Sequence, residues 1–270
     1  MQQTSFAYVV NQVCGSGMRA TIDGSSKIYS GESNLLIVGG QESMSRARHA
    51  YLSRTGEKKL GNNIFIDTLV NDGLTDAFSK EHMGITAENV SRKYNVTRQD
   101  QDQFAYQSYL KTYKAIKNNY FKNELIKTPL KDEVRKDTTL PKLSQLKAVF
   151  KKSGTVTAGN ASSLNDGASF LALASEKYVT SNKIKPIAKV LSWASSAGNP
   201  DYMGVTPITA IQKLMKKMSV NINYFNLVEV NEAFAATSVA VQRSLKIDPS
   251  KLNIAGGAIA SVSYTHLRAH

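Results

Sequence analysis

Tyr8-Val9-Val10-Asn11-Gln12-Val13-Cys14-Gly15-Ser16-Gly17-Met18 packs a strand, a turn and a helix start into one short stretch. The apolar Tyr8–Val10 reads as a buried strand running into a glycine-bearing turn, Asn11–Ser16. The small and polar run Met18–Ser30 reads as a helix. Asn34-Leu35-Leu36-Ile37-Val38 is a second strand, stopped by Gly39-Gly40. A continuous apolar run that ends in glycines is the pattern of a strand covered on both faces. Residues 44–85 lack periodicity and read as excursions over a surface.

Further along, Thr97 and Asp100 form a capping-box pattern with Asp in the usual Glu position. Behind it Ala105, Tyr109, Tyr113 and Ile116 make a one-sided apolar stripe of helical spacing, a packing feature. Gly154–Gly167 is too poor in large side chains to read as core. Ile187–Trp193 and Asn226–Val230 read as strands, each followed by a helix, and Lys251–Ala255 as a last strand ending at Gly256-Gly257. Alternating strands and helices with glycine-rich strand ends predict layered α/β architecture. No solenoid repeat or low-complexity tract interrupts it.

The 270 residues are enough for one large or two ordinary domains, and 41% hydrophobic with 20% charged residues is an ordinary globular balance. No apolar run approaches the roughly 20 residues of a spanning helix, and the start, Met1–Phe6, lacks the pattern of a secretory signal. Cytoplasmic placement and no membrane association are the expectations. A single cysteine, Cys14, excludes an internal disulfide and a cysteine-based metal cluster, so no metal is expected. The net charge of +13 suits an anionic small molecule as well as nucleic acid. Its lysines come in scattered pairs such as Lys58-Lys59 and Lys216-Lys217, without the interleaved aromatics of single-strand binders. The expectation is therefore a solvated surface and no nucleic-acid partner.

Chemistry concentrates at Cys14. A cysteine at a strand–turn–helix junction faces free N–H groups and the helix dipole, which favour the thiolate. Gly15, Ser16 and Gly17 let a substrate approach the sulfur closely. From the pattern alone, however, a lone cysteine reads more readily as a small packing residue. The wider sequence changes that reading. Asn11–Gly17 is similar to the nucleophile motif of the thiolase family. In the same order come Gly39–Ser45, His82–Val90, Gly154–Ser162, Asn231–Ala235 and Gly256–Ala260, each resembling a thiolase segment. Together the six cover nearly everything from residue 8 to 260.

The resemblance implies a thiolase fold, layered α/β/α/β/α, with an inserted loop domain. Its implied division is residues 1–43 in an N-terminal domain, 44–164 as the loop domain, 165–185 returning to the first, and 186–260 in a C-terminal domain. It also implies an acetyl-CoA C-acetyltransferase that cleaves or condenses short-chain 3-oxoacyl-CoA through a cysteine thioester, which splits one hard step into two. A thiolase-like shell that binds acyl-CoA without chemistry is the alternative. Acetyl-CoA and acetoacetyl-CoA are the implied substrates, no separate cofactor is needed, and a homo-oligomer, dimer or tetramer, is the implied assembly.

By resemblance Cys14 is the nucleophile and Asn231, at a helix start, the amide that holds a water in an oxyanion site. His82 and Met83 match the acyl end of the coenzyme A pocket, and argue for short acyl chains. Arg135 matches the basic residue near the adenine and phosphate end. Phe150, Ala158, Ala161, Ser162 and Leu164 match the pantetheine channel, with Ser162 set to hydrogen-bond its amide. Met203, Ala233 and Phe234 match the wall near the reacting carbons. Ser163 and Thr206 depart from the usual glycines, and the loop from Ile126 to Lys131 is shorter than in most relatives.

Relatives carry roughly 75 more residues before the nucleophile motif, a share a domain of ordinary size does not spare lightly. After Ala260 they continue with Gly-His-Pro and later a second cysteine. Here Ser263 stands at the histidine position, and 261–270 reads as a tail foreign to the family, so His266 and His270 are not assigned roles. The expectation is a fragment, incomplete at both ends, that is inactive in turnover because the acid and base of condensation are missing.

Overall fold

The computed structural model describes residues 5–52, 60–126, 134–135 and 137–260. The expected tail 261–270 and most of the short loop after Ile126 lie outside the described residues. In chain order the elements are α1 (Ser16–Tyr29), β1 (Leu35–Ser43), β2 (His49–Ala50), β3 (Ile66–Asp67), α2 (Met83–Lys93) and α3 (Arg98–Lys117). They continue with α4 (Leu140–Ser144), β4 (Asp166–Ala174), α5 (Glu176–Ser181), α6 (Thr206–Met218) and α7 (Ala235–Leu245). Strand β1 pairs antiparallel with β4 from Leu35–Ala174 to Ser43–Asp166, and β2 with β3.

Helix α1 lies on one face of the β1–β4 pair, and the contact point is Gly24. A Cβ there would fall 2.6 Å from Val38 Cγ1, so only glycine allows this approach. The opposite face leaves Leu35, Ile37 and Phe170 exposed. The expectation of a strand covered on both faces therefore fails: among the described residues one helix covers one face.

Four expected strands also form no ladder. Tyr8–Val10 and Ile187–Trp193 form no ladder, and Val9 and Ile187 stand in solvent. Asn226–Val230 and Lys251–Ala255 meet only at a parallel bridge, Val228–Leu252. Two residues on, the Asn253 side chain replaces the backbone ladder. Its Oδ1 accepts from Val230 N–H at 2.8 Å and its Nδ2 donates to Val230 C=O at 2.9 Å. Residues of strand-like apolarity make a strand only where another backbone offers its hydrogen bonds.

The second body of the fold is helical. α7 is buried along Ala235–Val241 and at Leu245. It contributes to the cluster of Ala105, Tyr109, Leu143 and Ile259, to that of Ile208, Val230 and Leu252, and to that of Val90 and Val96. α2 and α3, which fall in the stretch 44–164, pack on it, and α2 also packs on the 3-10 turn Pro200–Val205. The capping box opens α3 as expected: Thr97 Oγ1 accepts from Asp100 N–H and Asp100 Oδ2 from Thr97 N–H. Of the stripe on α3, Ala105 and Tyr109 are buried while Tyr113 and Ile116 are exposed. Ser108 and Thr112 take the buried side instead, because α3 faces the polar turn at 253–257.

That turn is pressed onto α3. Gly256 has φ of 80°, and a Cβ on it would overlap Thr112 Oγ1 and approach the Ser108 carbonyl to 2.6 Å. Gly256→Ala combines a left-handed backbone with a backbone clash. It is expected to cost at least about 2 kcal/mol, read as a lower urea midpoint at unchanged slope.

Candidate active site

Helix α2 starts at a histidine cap. His82 has extended backbone, φ −66° and ψ 140°, and its Nδ1 accepts from Gly84 N–H at 3.0 Å. That bond uses the Nδ1 lone pair, so the ring is neutral with its proton on Nε2. Burial, the single cause, pushes its pKa below the usual histidine value. The ring stacks on Phe150 with centroids 4.7 Å apart and 22° between planes. Phe150 in turn meets Phe234 edge-on at 6.1 Å. Gly84 makes room for this: its Cβ would lie 2.3 Å from the Phe150 ring.

Met83, Ala87, Val156 and Phe234 form one buried cluster, and Phe150, Ala161 and Ala233 pack against it. Residues from three distant stretches, 83–87, 150–161 and 233–234, thus come together at the first turn of α2. The bridge Ala161–Phe234, the bond from Ser162 N–H to Ala233 C=O (2.9 Å) and that from Ala235 N–H to Asn160 C=O (2.8 Å) join two of them.

Five expected site residues are therefore together with His82: Met83, Phe150, Ala161, Ala233 and Phe234. Ser162 is attached through its backbone, and its Oγ donates to Ser163 C=O at 3.2 Å. Ala158, Leu164, Met203 and Arg135 are exposed and outside the cluster. Asn231 is not at the helix start, because the N-cap of α7 is Phe234. Its Oδ1 is nonetheless buried and has no hydrogen-bond partner.

Cys14 sits in the turn before α1, exposed, two residues ahead of the first helical residue. The expected depressed thiol pKa is not found. The protein mass around the sulfur pushes the thiol up, and its own backbone N–H offsets this only in part. The reason lies in the turn: Gly15 N–H and Ser16 N–H donate to the carbonyls of Gln12 and Val13 at 3.0 and 3.1 Å. The donors that would have stabilised a thiolate are already spent on closing the turn.

The sequence reading missed the residues that hold the site in place. Glu88 on α2 takes Thr155 N–H and Val156 N–H on Oε1, both at 2.8 Å, and Thr155 Oγ–H on Oε2 at 2.9 Å. This fixes the Gly154–Ser162 segment, whose Val156, Thr157 and Asn160 are fully buried, contrary to the expectation that the segment is not core. Asn160 completes the clamp by donating to Asp102 Oδ1 at 2.9 Å, and Asp102 is paired with Arg98. An open groove of about 820 Å³ lies elsewhere, between α3 and α7, lined by Lys111, Arg243 and Lys246. Among the described residues no group of three or more His, Cys, Asp or Glu is arranged for a metal, and no helix is long and apolar enough to cross a membrane.

The family model for the thiolase N-terminal domain matches residues 1–177, and that for the thiolase C-terminal domain residues 184–262. The acetyl-CoA acetyltransferase of Rhizobium meliloti (strain 1021) is 44% identical over 271 residues, covering 96% of this chain and 69% of the relative. The crystal structure of the Bacillus anthracis acetyl-CoA acetyltransferase superposes with a TM-score of 0.90 at 34% identity, over 97% of this chain and 69% of that one. The Acat5 thiolase from Ascaris suum in complex with coenzyme A gives 0.92 at 34% identity, over 98% and 70%.

Two outcomes follow from the site's electrostatics. Alkylation of Cys14 by iodoacetamide is expected to report an apparent pKa above the ordinary thiol value of about 8.5. A plateau reached by pH 7 contradicts the geometry described. For His82 the folded pKa is depressed, so its contribution is complete above about pH 6.5 and is lost as pH falls through the lower folded value. His82→Ala is expected to cost about 1 kcal/mol at pH 8, with the difference shrinking toward pH 5 in urea titrations. A difference constant across that range rules out the cap.

Proposed function

The chain belongs to the thiolase family, and on that premise we propose that it is an acetyl-CoA C-acetyltransferase acting on short-chain 3-oxoacyl-CoA through an acyl-thioester on Cys14. The observation that carries the reading is the convergence of His82, Met83, Phe150, Ala161, Ala233 and Phe234 around one helix start. An apolar wall of this kind suits an acyl chain, and the resemblance of the His82-Met83 pair argues for a short one. Neutral His82 offers an N–H donor without a charge, appropriate beside an uncharged thioester.

In the proposed reaction the Cys14 thiolate attacks the keto carbonyl of the 3-oxoacyl-CoA, and the carbon–carbon bond breaks to release acetyl-CoA once its carbanion takes a proton. The acyl group then passes from the Cys14 sulfur to a second coenzyme A thiol, whose proton is removed as the cysteine thiolate leaves. Asn231 fits its part. A buried carboxamide oxygen without a partner can accept one O–H of a water, whose other O–H is then free for a developing oxyanion. Arg135, exposed on the loop before α4, belongs to the nucleotide end of the ligand. Ala158, Ser162, Leu164 and Met203 complete the contacts with pantetheine and acyl group. The division at 43, 164, 185 and 260, a homo-oligomeric assembly and a cytoplasmic setting are parts of the same proposal.

One observation favours the alternative of reversible acyl-CoA binding without chemistry, namely the raised Cys14 pKa. A single experiment separates the two. After incubation with acetoacetyl-CoA, mass spectrometry of the peptide containing Cys14 is expected to show an acetyl adduct that hydroxylamine removes and Cys14→Ala abolishes. Saturable binding with no adduct supports the alternative, and an adduct on another residue sinks the assignment of Cys14.

A further inference from the structure

Next to Asn231 stands a carboxylate with an unusual setting. Glu232 is 1% exposed, and three donors from distant parts of the chain converge on it. Ser108 Oγ–H on α3 reaches Oε2 at 2.7 Å, Asn253 Nδ2–H reaches Oε1 at 2.8 Å, and Ile259 N–H reaches Oε2 at 3.3 Å. The Ser108 hydroxyl also accepts from Gly257 N–H at 3.0 Å. Gly257 is held so close that a Cβ on it would lie 2.2 Å from the Glu232 carboxyl carbon.

The same Asn253 grips the residue on the other side of Asn231, closing both backbone groups of Val230. Beyond Glu232 the chain is tied again where Ala233 C=O accepts from Ser162 N–H. Asn231 is thus a residue whose flanks are anchored on both sides, while its own buried Oδ1 has no partner. Such an acceptor is open to a water or ligand donor.

We propose that Glu232 is a positioning residue: as the common acceptor for Ser108, Asn253 and Ile259 it locks the 230–233 backbone so that the Asn231 carboxamide is held aimed at the reacting group. This rests on the role given to Asn231 above. The network demands an acceptor at every contact. Glutamine has nearly the same shape but turns one acceptor into a donor. An amide nitrogen in place of Oε1 faces the Asn253 amide nitrogen, and in place of Oε2 it faces Ile259 N–H. Relief by flipping Asn253 breaks its two bonds to Val230, the other anchor of Asn231. Burial raises the Glu232 carboxyl pKa, with the three hydrogen bonds and Lys111 opposing.

The test compares the full chain with Glu232→Gln and Asn231→Ala. Hydrogen exchange of the peptide spanning 226–234 is expected to accelerate at least about 10-fold in Glu232→Gln while α2 keeps its protection. The saturated rate of Cys14 acylation by acetoacetyl-CoA is expected to fall by at least about 10-fold, with the half-saturating concentration within about 2-fold. A merely structural role moves neither the split between rate and affinity nor the exchange of this one peptide. Unchanged exchange, or a lost affinity at intact rate, overturns the proposal. If Asn231→Ala acylates at the wild-type rate, or the wild type does not acylate at all, the reading of the active site fails and the exchange comparison alone decides the positioning claim. Should Glu232→Gln fail to fold, Ser108→Ala, which removes one donor and the Gly257 contact, is measured in its place against the same outcomes.

Discussion

Helix α7 is buried on every side along Ala235–Val241, and that constraint shapes everything around it. A helix without a solvent face must be built from side chains small enough for its neighbours to close on it. Ala235-Ala236-Thr237-Ser238-Val239-Ala240-Val241 meets this requirement. α2, α3, α6 and the turn at Pro200–Val205 all pack against it, and Gly204 leaves no room for even a Cβ beside Thr237. Its N-terminus lacks a side-chain cap. The carbonyl of Asn160 takes Ala235 N–H instead, which ties the start of the central helix to the 154–162 segment. The position of Phe234, and with it the ring stack through Phe150 to His82, follows from that tie.

Two buried carboxylates then do the same work at opposite ends of the site. An ionised carboxylate only accepts hydrogen bonds, so it matches a loop whose N–H groups have no strand to pair with. Glu88 satisfies the backbone at Thr155 and Val156, and Glu232 that at Ile259, with Ser108 carrying the contact to Gly257. Each has a glycine at its back, Gly154 and Gly257, where a side chain would strike the carboxyl group. An isolated buried charge is costly. Here three donors to each group oppose the cost, and for Glu232 Lys111 as well, although burial still raises the Glu232 pKa. Loops held this way need no regular secondary structure to be rigid.

The same physics explains what the sequence did and did not disclose. The capping box at Thr97 and the helix after the cysteine turn depend on residues close in sequence, and both are present. The strand at Leu35–Val38 is present too, but it runs on through Gly39-Gly40 to Ser43 because the distant β4 pairs with its whole length. The strands expected at Tyr8–Val10 and Ile187–Trp193 depend on partners far away, and no periodicity can report whether a partner exists. Family resemblance picked out residues that do meet around α2, because motif order carries tertiary information that spacing lacks. Glu88 and Glu232 were passed over inside those very motifs. A carboxylate within otherwise apolar or small surroundings, as at Val228–Phe234, was the available signal. Only the structure shows which distant N–H groups it answers, just as only the structure shows that Gly154–Gly167, poor in large side chains, is nonetheless core.

Cys14 presents the remaining physical question, because its setting opposes the thiolate that acyl transfer needs. The turn that brings the sulfur to the start of α1 consumes the Gly15 and Ser16 amides, and among the described groups no charged side chain counters the protein mass that raises the thiol pKa. The penalty is smaller than the loss of thiolate suggests. Each unit of pKa above ambient pH removes about 90% of the remaining thiolate, but thiolate nucleophilicity rises with a Brønsted slope of about 0.4–0.5, a gain of roughly 3-fold per unit. The net loss is therefore only about 3-fold per unit. For a reaction that exchanges one thioester for another, a neutral, accessible sulfur in a small-residue turn is compatible with the chemistry. The proton then has to be removed as the substrate binds rather than stored as a standing charge.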